Sequence, residues 1–176
     1  KITIKGLQGG HSGMDIHKGY GNANVILGRL LYLGIEKENI QLISVDGGSL
    51  RNAIPREAFA VIAVRNAPEF INQATILKGE ILEEFNTIEK DLHIEIENFS
   101  SEEKAISAKD SKKIILSLKA AHNGVYRMSP DVADLVETSN NIARVLLRNG
   151  ELTLMNLARS SVDSTKNAVA EQLKSV

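Results

Sequence analysis

An α+β fold, with an antiparallel sheet covered by helices on one face, is the class this sequence predicts. Three observations carry it. Short apolar runs with period two, such as Leu92-His93-Ile94-Glu95-Ile96-Glu97, read as half-buried strands. Between them lie two long segments whose apolar residues recur at helical spacing. Near the end, Asn149-Gly150 joins two strand-like runs, and Asn-Gly is the strongest short hairpin signal.

Taken in order, Lys1 to Lys5 alternates as a strand with Ile2 and Ile4 on one face. A glycine-rich loop follows, and Asn22 or Asn24 is the expected cap of a helix carrying Val25, Ile26, Leu27, Leu30, Leu31 and Leu33. Gly34 is its expected stop. Ile40 to Val45 reads as a second strand ending at Asp46-Gly47-Gly48, and Glu57 to Arg65 as a third. Asn66, Pro68 and Glu69 then spell a helix start, with Phe70, Ala74, Leu77, Ile81 and Phe85 along its apolar face. Residues 92–97 are the fourth strand. This β-α-β-β-α-β order is the split pattern of a ferredoxin-like sandwich.

The remainder reads as a second, related α/β half. Residues 100–110 are polar and connecting, and residues 111–121 form a helix with Ile114, Ile115 and Leu118 inward. A short piece, Gly124-Val125-Tyr126, precedes strands over 135–147 and 151–158. Asp163 or Ser164 is the expected cap of the last helix. The division expected is 1–98, a 99–110 connection, and 111–176. Residue 1 stands inside a strand pattern and residues 171–176 inside a helical one, so the chain reads as a piece of a longer protein.

Composition bounds the function. Of 176 residues, 43% are hydrophobic and 24% charged, an ordinary soluble globular balance. With 21 basic against 22 acidic residues the net charge is -1, which argues against a binder of nucleic-acid phosphates. The absence of cysteine removes disulfides, thiolate nucleophiles and Cys-type zinc sites. No apolar run nears the roughly 20 residues that span a bilayer, and no signal-peptide pattern is visible. A cytoplasmic location fits these features.

Four histidines, His11, His17, His93 and His122, are scattered with no metal-ligand spacing. His93 reads as a solvent-face strand residue, and no carboxylate pair implies acid–base work. By itself the chain lacks a catalytic engine. The Gly6–Asn22 stretch holds His11 and His17 among six glycines, which presents an imidazole rather than packing it. As a phosphate cradle it lacks the P-loop ending and the dinucleotide fingerprint.

The wording of Gly9-Gly10-His11-Ser12-Gly13, of Gly19-Tyr20-Gly21-Asn22-Ala23-Asn24, and of Asp46-Gly47-Gly48-Ser49-Leu50-Arg51-Asn52-Ala53-Ile54-Pro55-Arg56-Glu57-Ala58 resembles the lid domain of the dinuclear-zinc M20 metallopeptidases. Val136-Glu137-Thr138-Ser139, Asn141 and Leu157, Arg159, Ser160, Asp163, Ser164 and Lys166 point within that clan to the aminoacyl-histidine dipeptidases (Xaa-His, or cytosol non-specific, dipeptidases). Met14-Asp15 departs from the small or polar residues expected after His-Ser-Gly. The resemblance implies a substrate-clamping insertion in a catalytic domain that itself holds two zinc ions, with no metal ligand in this chain. It implies three partners: that catalytic domain, a dipeptide, and a second copy of the chain in a homodimer. It gives His11 the stabilisation of the scissile carbonyl and its oxyanion, Asn52 a substrate contact, and Arg159 the grip on the substrate carboxylate. Arg51, Arg65, Asn123, Glu137 and Thr138 read as scaffolding. The rival expectation is a free-standing ferredoxin-like module that binds a small ligand or regulates.

Overall fold

A computed structural model describes residues 1–176. Strand β1 (Ile2–Lys5) and the two-residue β2 (Gly10–His11) precede helix α1 (Ala23–Lys37). Strands β3 (Gln41–Gly47), β4 (Ala53–Ile54) and β5 (Ala58–Ala63) lead into α2 (Ala67–Phe85), and β6 (His93–Ile96) follows. The chain continues with α3 (Ala108–Ala120), β7 (Gly124–Met128), β8 (Val136–Arg148), β9 (Glu151–Ser160) and α4 (Asp163–Lys174).

Apart from β2 and β4, the first six elements run β-α-β-β-α-β with sheet order β6-β1-β5-β3, every neighbour antiparallel. This is the ferredoxin-like arrangement. The later residues, in the order α-β-β-β-α, extend that same sheet. The C-terminal part of β8 pairs with β3, its N-terminal part with β7, and β9 runs along its opposite edge. The helices lie on one face. One apolar cluster joins Ile2, Ile4 and Ile94 of the first strands to Ile115 and Leu118 of α3 and Val145 and Leu147 of β8.

Irregularities in two strands place this core. Leu42 and Val45 are both fully buried although three residues apart, because the β3–β5 register shifts between Leu42 and Ser44. Ile142 and Val145 repeat the device at the shift between Ile142 and Arg144. An extra residue changes a strand's phase, so both side chains reach the helical face. Against it α1 buries Ile26, Leu27, Leu30 and Leu31, each contributing about 1.5–3 kcal/mol relative to exposure.

Helix starts follow the sequence for α1 and α2 and depart from it for α3 and α4. Asn22 caps α1 by accepting from Asn24 N and Val25 N, and Asn66 caps α2 by accepting from Glu69 N. Ser107 caps α3, whose first residue, Ala108, lies ahead of the expected helix. The expected stop at Gly34 is a correction: α1 runs on to Lys37. Gly34 serves close packing, since a β-carbon there would lie 2.6 Å from Ile40 Cδ1. The turn out of α1 is made instead at Asn39, with φ +48°. Helix α4 also corrects the sequence. Its cap position is Val162, whose apolar side chain has no acceptor to offer a cap bond, and Ser160 Oγ receives Val162 N–H at 3.0 Å.

Asparagines tie the early and late parts together. Asn22 Nδ2 donates to Asn123 Oδ1 (2.9 Å), Asn141 Oδ1 (3.2 Å) and the Ile142 carbonyl (3.2 Å). Asn24 Nδ2 donates to the same carbonyl, and Asn123 Oδ1 also receives Ile142 N–H. Asn141 Nδ2 in turn donates to the carbonyls of Ala53 (2.8 Å) and Arg51 (3.3 Å). Replacing Asn22 by Ala removes the cap, about 1 kcal/mol, and strips Asn141 Oδ1 of its buried donor, about 1–3 kcal/mol. Urea unfolding of Asn22→Ala is therefore expected to show a loss of roughly 2–4 kcal/mol. Asn22→Asp, which keeps the cap but sets a carboxylate against three acceptors, is expected to be destabilised as well; wild-type stability in either variant would contradict the account.

Candidate functional site

The site is assembled from β8 outward. Arg159 on β9 is the register partner of Ser139 on β8. Two residues further along β8, Asn141 holds the carbonyls of the Arg51–Ala53 turn. That turn enters β4, whose Ala53 is the partner of His11 in β2. The Asn52 carbonyl accepts Ser12 N–H at 2.9 Å. The three residues singled out in the sequence, His11, Asn52 and Arg159, thus stand on three adjoining pieces of backbone despite their wide separation along the chain.

His11 and Arg159 meet at Gly13. A β-carbon on Gly13 would lie 3.2 Å from Arg159 Cδ, 3.3 Å from Arg159 Nε and 3.3 Å from His11 Cε1. A methyl group there would push both side chains back by a few tenths of an ångström. The guanidinium is exposed and the imidazole half-buried. Arg159 also lines a shallow cleft of about 250 Å³ with Gly13, Glu137, Ser139 and Ser160. Asn52 is exposed at the rim of the adjoining turn.

The imidazole is oriented by backbone. His11 Nδ1 accepts N–H groups from Gly13 (3.2 Å) and Met14 (3.1 Å). A nitrogen that accepts carries no hydrogen, so the neutral ring bears its proton on Nε2 and offers that atom as a donor. The turn is closed by Asp15, whose Oδ2 accepts His11 N–H at 2.7 Å while Oδ1 accepts Lys18 Nζ at 2.7 Å. The Lys18 ammonium first, and the His11 N–H second, hold the Asp15 carboxyl below its ordinary value.

Beneath Arg159 a hydroxyl cluster joins β8, β9 and α4. Thr138 Oγ1 lies 2.8 Å from Ser160 Oγ and 3.1 Å from Thr165 Oγ1. Buried Glu137 accepts from Thr138 Oγ1 at 3.2 Å and stands 3.5 Å from Arg127 Nε. Glu137, Thr138 and Asn123 are thus engaged in holding strands, as the sequence suggested. Arg51 and Arg65 are exposed. His17 is exposed, His93 faces solvent 3.9 Å from Glu95, and His122 packs edge-on against Tyr126.

No three or more His, Asp or Glu side chains converge into a group able to hold a metal ion. With His11 Nδ1 spent on two amides, the donors in this chain do not fit the zinc ions that the resemblance implies. No helix is long and apolar enough to cross a membrane.

Residues 2–93 match the peptidase dimerisation domain of the M20 peptidases. The chain belongs to that family. Over 182 aligned residues this M20 dimerisation domain is 40% identical to the cytosol non-specific dipeptidase of Escherichia coli (strain K12), a match covering 100% of the chain and 37% of that protein. Its fold superposes on the crystal structure of aminoacylhistidine dipeptidase from Vibrio alginolyticus with a TM-score of 0.94 and 38% identity, covering 99% of the chain and 36% of that one. The chain therefore spans a little over a third of the length of these relatives.

Two features of the M20 domain's site escaped sequence reading. The β2–β4 ladder has two residues per strand, too few to show a period. Asn141 was visible as a motif residue, but its hold on the Arg51–Ala53 turn was not.

A pH dependence follows from Asp15. A lowered carboxyl contributes stability above its ordinary value and loses it as pH falls through the lowered one. The His11 amide is accordingly expected to stay protected from exchange down through the ordinary aspartate range, and to open only in stronger acid. In Asp15→Ala it is expected to be open at every pH. Residue-resolved hydrogen exchange reads both; protection that fades as for a free aspartate would contradict the assignment.

Proposed function

We propose that this domain is the substrate-clamping lid of a dipeptidase, closing over a dipeptide held by a catalytic domain in the same protein. The observation that carries the reading is the meeting of His11 and Arg159 at Gly13, beside the turn that bears Asn52. The names of the two relatives, a cytosol non-specific dipeptidase and an aminoacylhistidine dipeptidase, support a dipeptide, Xaa-His among others, as substrate. They also support a cytoplasmic location. The family's name, a dimerisation domain, supports pairing of the parent protein with a second copy through this part.

In this reading each side chain does what its chemistry suits. Arg159 presents a planar, permanently charged fork to the carboxylate of the dipeptide's C-terminal end, where two parallel hydrogen bonds fix orientation. His11 offers Nε2–H to the carbonyl oxygen of the scissile bond, a donor already aimed where negative charge develops. The backbone amides on Nδ1 keep that donor in place without a carboxylate partner. Asn52 contributes an amide to the bound peptide from the adjoining turn. Two zinc ions, held by residues of the catalytic domain, supply the hydrolytic chemistry.

These roles separate in steady-state kinetics of the full-length protein on an Xaa-His dipeptide. His11→Ala is expected to lower kcat by roughly 10²–10³-fold with a small change in KM, as for loss of an oxyanion donor. Arg159→Ala is expected to raise KM by about tenfold or more, the loss of a charge-assisted contact made in ground and transition states alike. Equal and small effects from both would remove the assignments.

A further inference from the structure

The carboxylate of Glu89 is buried without a counter-ion, and packing alone does not explain it. Glu89 sits in the turn between α2 and β6 with only 4% of its surface exposed. Its own N–H donates to the Phe85 carbonyl at 2.8 Å, and its carbonyl receives Leu92 N–H at 3.1 Å. No lysine, arginine or histidine pairs with it. Its partners are two main-chain amides: Gln8 N–H on Oε2 at 2.6 Å, and Gly21 N–H on Oε1 at 2.7 Å.

Those amides stand at the beginning and the end of the loop that carries His11. One carboxylate therefore pins both ends of that loop to the α2–β6 turn. The approach is close on both sides. A β-carbon at Gly21 would meet Leu7 Cδ2 at 2.6 Å and Glu89 Oε1 at 3.5 Å, and one at Gly6 would meet the Asp91 carbonyl oxygen at 2.0 Å. Gly21 also precedes Asn22, so the same clasp sets where α1 begins.

A buried charge without a counter-ion is costly, and an apolar side chain of like volume would serve packing better. What a carboxylate alone offers here is two acceptor oxygens facing two donors. A glutamine would turn its NH₂ group toward one of those amides, donor against donor.

We propose that Glu89 is a positioning residue for His11: by holding Gln8 and Gly21 together it keeps the loop in the shape that presents the imidazole to substrate. The proposal rests on the role given to His11 above. Glu89 touches no substrate and acts only through the loop.

The experiment uses the full-length protein with Glu89→Gln, alone and combined with His11→Ala, and an Xaa-His dipeptide as substrate. Glu89→Gln is expected to lower kcat about 10–100-fold, the scale of a sub-ångström to ångström misplacement, with KM within about twofold. Hydrogen exchange by mass spectrometry is expected to speed up in peptides covering 8–21 and to stay unchanged in those covering β8 and β9. In the His11→Ala background, Glu89→Gln is expected to add no further loss of kcat. A loss that multiplies in that background, or unchanged exchange over 8–21, overturns the proposal while leaving His11 its role. If His11→Ala itself leaves kcat unaltered, the role of His11 falls and this proposal falls with it. Should Glu89→Gln not fold, Glu89→Asp carries the same test, since it keeps the charge but cannot span both amides.

Discussion

The side-chain amide of Asn22 is the point on which the architecture depends. Its oxygen starts α1, and its nitrogen reaches Asn123, Asn141 and the Ile142 carbonyl, about a hundred residues further along the chain. Helix α1 belongs to the ferredoxin-like part and β8 to the later one. The β3–β8 ladder joins the two parts along one edge, and this junction adds directed polar contacts to the apolar surface they share. Apolar contacts are non-directional, whereas a buried amide with paired partners tolerates one arrangement.

The same junction explains a peculiarity of β8. From Glu137 to Asn141 five consecutive polar residues are buried, where a central strand would ordinarily be apolar. All but Ser139 hold neighbouring elements through their side chains. Glu137 and Thr138 gather β7, β9 and α4, Asn140 holds the His122 carbonyl and Asn156, and Asn141 holds the 51–53 turn. Further along the strand, Ile142, Val145 and Leu147 lie in the apolar core, the last two in the stretch paired with β3. One strand thus works as core at one end and as the foundation of a polar site at the other.

The loop that carries His11 is held by side chains bonded to main-chain amides. His11 is oriented by amides of its own turn, that turn by Asp15, and the loop ends by Glu89. In the role proposed for His11, a donor held in this way would need no reorganisation when charge develops opposite it, the condition for effective electrostatic stabilisation.

Much of the fold was legible in the sequence because its causes are local. Period-two and helical apolar patterns, the Asn22, Asn66 and Asn149-Gly150 signals, and the wording around His11, Asn52 and Arg159 are properties of neighbouring residues. Gly34 misled because a glycine that ends a helix and one that admits Ile40 look alike in sequence. What only the tertiary structure decided is the convergence: the two-residue β2–β4 ladder, Gly13 between His11 and Arg159, and the reach of Asn141 and Glu89. These are contacts between single groups far apart in the chain. A lone hydrogen bond across a hundred residues imposes no periodicity, so nothing in the order of amino acids announces it until the core has brought the partners together.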